Sequence, residues 1–133
     1  MTDVDRRTAA ARFAADWKGR GDEKQETQRF WIELLTKVFG IDGSTAISFE
    51  VPVKLDHTSF IDGYIESTRV LIEQKGREID LRKGYKQSDG SMLTPYQQAR
   101  RYAGYLPYNQ VPRWIIVCNF QEFQIHDMNR PND

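Results

Sequence analysis

The stretch "FIDGYIESTRVLIEQKG", residues 60–76, constrains the fold most. Two apolar runs flank Glu66-Ser67-Thr68, and Val70-Leu71-Ile72 is too apolar for a solvated strand. The pattern predicts an antiparallel hairpin at the rim of a core. Side chains two apart on a strand share a face, so Glu73 and Lys75 project together and Gln74 points away. The turn brings Asp62 opposite some residue between Arg69 and Gln74, and Gly63 beside it would permit a bulge. A slip of one residue would turn Glu73 and Lys75 to the face opposite Asp62.

The rest of the chain supplies partners for that hairpin. Residues 2–18 read as a helix, with Thr2 as N-cap and Asp5 three residues on. "KGRGDE" breaks it. A second helix is predicted over about 22–39, its apolar face carrying Phe30, Trp31, Leu34, Leu35, Val38 and Phe39, with Gly40 as the stop. "ISFEVPVKL" reads as a strand, placed at an edge by Pro52. Residues 76–93 form a polar stretch of a length that is usually functional or disordered. Thr94 and Pro95 open a helix that runs to about Pro107. "RWIIVCN" reads as a fully buried, central strand and "EFQIHD" as a shorter one. The predicted order is ααβββαββ, an α/β (α+β) layered design in one domain, with a right-handed crossover through the helix at 94–107.

Bulk properties narrow the class. The chain has 133 residues, one domain's worth, with 39% hydrophobic and 29% charged residues. One cysteine, Cys118, excludes an internal disulfide and a cysteine-based zinc cluster. No apolar run is long enough to span a bilayer, and the N-terminus has no apolar core of a signal peptide, so a cytoplasmic location is expected. Net charge is zero. Between Arg69 and Arg101, however, eight basic residues face four acids, a local excess that can bind phosphates.

Two carboxylates a few ångströms apart repel unless a cation lies between them. All-oxygen ligands with open water positions suit Mg²⁺ or Mn²⁺. Such an ion polarises a phosphoryl oxygen, and a neighbouring lysine orients the attacking water or stabilises charge on phosphate. Asp62, Glu73 and Lys75 are therefore the candidate set for phosphodiester hydrolysis. Gln98 and Tyr102 of "QARRY", one helical turn apart, can face the same direction.

Asp62…Glu73-x-Lys75 followed by Gln98-x₃-Tyr102 resembles the PD-(D/E)xK nuclease superfamily. More narrowly, "ETQRFWIELLTKVFG", "FIDGYIESTRVLIEQKG", "LTPYQQARRYAGYLP" and "PRWIIVCNFQEFQIHD" resemble the N-terminal endonuclease region of fused restriction–methylation enzymes of the MmeI type, over roughly residues 22–128. The resemblance implies a restriction-endonuclease-like core, a mixed sheet flanked by helices. It implies that Asp62 and Glu73 bind the metal, with the Gln74 carbonyl as a third ligand, and that Lys75 positions the water. It also implies a glutamate on the first core helix. Glu26 is the preferred match, although Glu23 falls nearer the centre of the apolar stripe. Ile61 stands where the superfamily pattern has proline.

On this reading the partners are double-stranded DNA and the methyltransferase and target-recognition parts of a longer chain, with "MNRPND" starting a linker at about residue 129. Double-strand cutting needs two sites or two visits, so dimerisation on DNA is expected. Arg77, Lys83, Lys86, Arg100, Arg101 and Tyr102 are the candidate DNA-binding residues. The rivals are a DNA-binding or docking module that keeps the fold without cleaving, and a structural domain whose hairpin charges form a salt-bridge network. His126 with Asp127 reads as a surface pair and His57 as a loop residue, while Trp17, Trp31 and Trp114 read as core or interface.

Overall fold

The computed structural model describes residues 1–55 and 58–130; His57 and the end of the tail, 131–133, lie outside the described residues. Helix α1 (Asp3–Trp17) starts at the predicted capping box, in which the Thr2 hydroxyl and the Asp5 carboxylate each take the other's backbone N–H at 3.1 Å. Helix α2 (Glu23–Glu33) is capped by Asp22, whose Oδ1 accepts from the amides of Lys24 and Gln25.

The predicted single helix to residue 39 instead changes to a π-helical turn at Leu34–Val38. The wider turn keeps Leu35 and Val38 buried but rotates Phe39 off the apolar face, leaving it 48% exposed. Gly40 ends the segment with φ +68, as its position implied. A short helical turn, α3 (Gly43–Ala46), follows.

Five strands form one mixed sheet in the order β1-β2-β3-β6-β7. They are β1 (Ser48–Lys54), β2 (Thr58–Ile65), β3 (Val70–Gln74), β6 (Trp114–Cys118) and β7 (Phe123–Asp127). All neighbours pair antiparallel except β3 and β6, which are parallel. The edge position predicted for the Pro52 strand holds. The central strand is β3, not the predicted "RWIIVCN": β6 is interior but fourth of five. Between β3 and β6 lies helix α4 (Pro95–Ala103), begun by a Thr94–Gln97 capping box and ended at Gly104, short of the predicted Pro107. The polar stretch before it holds a two-stranded hairpin, β4 (Tyr85–Lys86) and β5 (Met92–Leu93). The predicted element order therefore lacked α3 and this hairpin. Among the described residues no helix is long and apolar enough to cross a membrane.

The sheet divides two cores. On one face Phe13, Trp17, Phe30 and Trp31 of the first two helices meet Val70, Ile72 and Phe120. On the other, Ala99 of α4 meets Tyr64, Leu71, Ile115 and Val117. Strand β3 alternates between them, and each of its five residues is buried. Trp17 and Trp31 are core, as expected, each 2% exposed.

Gln74 points into the first core, where its Oε1 accepts from Trp31 Nε1 at 2.7 Å and its Nε2 donates to the Lys75 carbonyl at 3.0 Å. This fully buried amide ties the end of β3 to α2. Gln74→Leu would strand the indole N–H, a loss of about 1–3 kcal/mol for a buried donor. Urea denaturation should show that loss; a stability within a few tenths of a kcal/mol of the parent would contradict this role.

Candidate active site

Glu73 and Lys75 leave β3 on the α4 side. Lys75 Nζ lies 3.2 Å from Glu73 Oε1 and donates to Gln98 Oε1 at 2.8 Å. Gln98 Nε2 in turn donates to the Tyr102 hydroxyl at 3.0 Å, so the two residues share one side of the helix as their spacing predicted. The second oxygen of Glu73, Oε2, is buried and has no hydrogen-bond partner among the described residues. An orphaned carboxylate oxygen in a protein interior needs an explanation.

Asp62 arrives from β2 through a local break in the sheet. The β1–β2 ladder skips one pair, Glu50 and Asp62. Glu50 has a φ of +51, rare for a residue with a side chain. The break switches faces: Phe49 packs with the first core and Val51 with the second, although two residues apart they would otherwise share a side. The β2–β3 ladder stops at Gly63–Ile72, one pair short of Asp62. The Asp62 carboxylate takes over, its Oδ2 accepting from the Gln74 amide at 2.7 Å. The register carries no slip, and Asp62 faces the end of β3 as required.

The electrostatics follow from burial. Desolvation raises the Asp62 pKa to about 6; the Gln74 amide and Lys75 oppose the rise, and Glu23 and Glu50 add to it. Burial, with Asp62 adding repulsion, pushes Glu73 up to about 8 against the pull of Lys75. Burial alone would lower the Lys75 pKa, but the charge of Glu73 and the hydrogen bond to it outweigh that and raise it. While Glu73 is ionised, Lys75 is therefore held as an ammonium donor.

Glu26, the preferred match, folds back on its own helix start: Oε1 accepts from the Asp22 amide and Oε2 from Arg20 Nε, each at 3.1 Å. Those bonds hold its pKa below the ordinary value. Glu23 instead borders two cavities of about 260 Å³, one shared with Asp62 and Glu50 and the other with Lys75 and Gln98. Burial raises its pKa, and the charge of Lys75 partly offsets this. Just before α2, Gly21 packs closely on the Arg77 segment: a Cβ there would come within 2.7 Å of Arg77 Cβ and 2.8 Å of the Phe120 ring.

The predicted basic residues divide. Lys86 lines the cavity that holds Lys75 and Gln98, and Lys83 lies over the Tyr85 ring. Arg100 is exposed on α4, while Arg101 is paired with Asp89 at 3.0 Å. Arg77 lies beside the Gly19–Gly21 turn, lining a cavity with Glu23 and Glu26. Tyr102 is tied to Gln98. His126 and Asp127 do not form the expected pair: the imidazole stacks on Tyr96 at 3.7 Å, and Asp127 binds Arg113 at 2.7 Å. Sequence reasoning missed Glu50, which no pattern marked, and the hairpin residue Gln87.

The donor set suits a hard cation. Asp62 and Glu73 offer carboxylate oxygens whose charge burial disfavours, and Glu73 Oε2 has no hydrogen-bond partner among the described residues. Among the described residues no group of three or more His, Cys, Asp or Glu is gathered closely enough to hold a metal by itself. Two carboxylates with carbonyl and water completing the shell fit Mg²⁺ better than zinc.

A family model described as "MmeI, N-terminal domain" matches residues 8–133. The chain belongs to this family. Membership ties the domain to restriction–modification enzymes. No curated protein and no solved structure matches the chain.

This MmeI N-terminal domain has a testable pH response. Asp62 and Glu73 hold protons more tightly folded than unfolded, so between the ordinary carboxylate range and about pH 8 the folded state binds more protons. Their contribution to stability is complete below about pH 4 and is lost as pH rises through about 6 and then 8. Denaturation in chelator should show falling stability from pH 5 to pH 8, with a shallower fall in Glu73→Gln. An equal slope in the two proteins would contradict this.

Proposed function

We propose that the domain is the divalent-cation-dependent endonuclease part of a restriction–modification enzyme, hydrolysing phosphodiester bonds in double-stranded DNA in the cytoplasm. The observation that carries this reading is the grouping of Asp62, Glu73, Lys75 and Gln98 at the end of β3, beside a buried Glu73 oxygen that has no hydrogen-bond partner among the described residues. Asp62, Glu73 and the Gln74 carbonyl would hold Mg²⁺ or Mn²⁺. The ion would supply Lewis acidity toward the phosphoryl oxygen and relieve the repulsion between the two acids.

The chain's own residues do the rest. Lys75 is held by Glu73 and Gln98, which leaves its third N–H to orient a water or meet a phosphate oxygen. Tyr102 fixes Gln98, and Gln98 fixes Lys75. Glu23, rather than Glu26, borders the place where phosphate and water would meet. Lys83, Lys86, Arg77 and Arg100 would meet the duplex backbone, a contact that weakens with salt. The arrangement follows the PD-(D/E)xK pattern with Ile61 in the proline position. Methylation and target recognition belong on this reading to other parts of a longer chain, and paired cuts to two copies meeting on DNA.

Plasmid nicking with Mg²⁺ or Mn²⁺ tests this. Lys75→Ala should slow cleavage about 10²–10³-fold, the scale of one lost transition-state donor. Glu23→Gln should cost about 10–100-fold, the scale for a supporting ligand-shell residue, with Glu26→Gln near the parent. Variants as active as the parent would sink the assignment. A parent that binds duplex but cleaves with neither ion is the non-cleaving docking module.

A further inference from the structure

Hairpin β4–β5 has two residues per strand, paired Tyr85–Leu93 and Lys86–Met92. An isolated two-stranded hairpin is marginal even when longer, so its position must be fixed from outside. Two tethers do this. At its base the Tyr85 hydroxyl accepts from the Asp80 amide at 3.0 Å. At its tip Asp89 Oδ1 accepts from the amide and hydroxyl of Ser91, at 2.9 and 2.6 Å, and Oδ2 accepts from Arg101 Nη1 of α4 at 3.0 Å. Gly90, with φ +87, closes the turn between them.

The position of the hairpin matters because of what it faces. Tyr85, Lys86 and Gln87 wall a cavity of about 260 Å³ whose other side carries Lys75, Gln98 and Glu23. Lys86 is exposed, and among the described residues no carboxylate lies within ion-pair distance of it. We propose that the Asp89–Arg101 pair is a latch that docks the hairpin on α4, setting it as one wall of the catalytic cavity and aiming Lys86 at a phosphate of bound duplex beside the reacting one. Asp89 and Arg101 are positioning residues, and Lys86 is the residue they place. The proposal rests on the nuclease reading for its ligand but not for the latch itself.

An exposed ion pair shifts an equilibrium by up to about five-fold. That is small for a domain and large for a hairpin of four strand residues. Asp89→Asn keeps an oxygen for Ser91 and removes the acceptor for Arg101, so it opens the latch with the turn intact.

Hydrogen exchange on the whole chain without DNA or metal reads the latch directly. Asp89→Asn and Arg101→Leu should both speed exchange over 84–93, by up to about five-fold, and Arg101→Lys should restore most of the protection. Parent-like exchange in Asp89→Asn overturns the latch. Duplex cleavage reads its purpose. Asp89→Asn should raise KM about three- to ten-fold with kcat little changed, and Lys86→Ala should match it without adding to it in the double variant. If Asp89→Asn binds duplex as well as the parent while Arg101→Leu binds poorly, Arg101 contacts DNA itself and the proposal fails. If exchange responds as expected but the parent neither binds nor cleaves duplex, the nuclease reading and the role of Lys86 fall, and the latch stands.

Discussion

One half-satisfied carboxylate organises the molecule. Glu73 stands near the end of the central strand, paired with Val117 of β6, with one oxygen on Lys75 and the other without a hydrogen-bond partner among the described residues. A buried charge left this way is costly, and its proton affinity rises accordingly. Close by, Asp62 adds a second acid, and Glu23 and Glu50 a weaker negative field. A domain held together for stability alone would be better served by apolar side chains here. The cost is intelligible where a cation and an anionic substrate complete the site.

The fold serves that arrangement through its departures from regularity. The left-handed Glu50 breaks the β1–β2 ladder opposite Asp62 and frees the aspartate from ladder duty. The carboxylate then replaces a missing backbone acceptor for Gln74. On the reverse side Trp31 grips the Gln74 amide, so the Glu-Gln-Lys segment is clamped from both cores. Strained residues of this kind persist only where surrounding structure holds them.

Much of this was legible in the chain. Period-two spacing put Glu73 and Lys75 on one face, and period-four spacing put Gln98 above Tyr102, because both rules depend only on local geometry. The edge strand followed from Pro52 and the caps from Thr2 and Thr94. What stayed hidden depended on contacts remote in sequence or on backbone irregularity. Glu26 is preferred on the family match although Glu23 lies nearer the centre of the apolar stripe, and its bonds to the Asp22 amide and Arg20 come from the helix start, where orphan amides seek acceptors. Phe39 was lost to a π-turn that no periodicity announces. The 84–93 hairpin was too short for strand patterning, and its hold on α4 is a pair twelve residues apart.

The central claim is that Asp62 and Glu73 share a divalent cation. Calorimetric titration of the domain with Mn²⁺ tests it apart from catalysis. The account predicts saturable binding by the parent and none by Asp62→Asn at the same concentrations. No binding by the parent, or equal binding by both proteins, would contradict it.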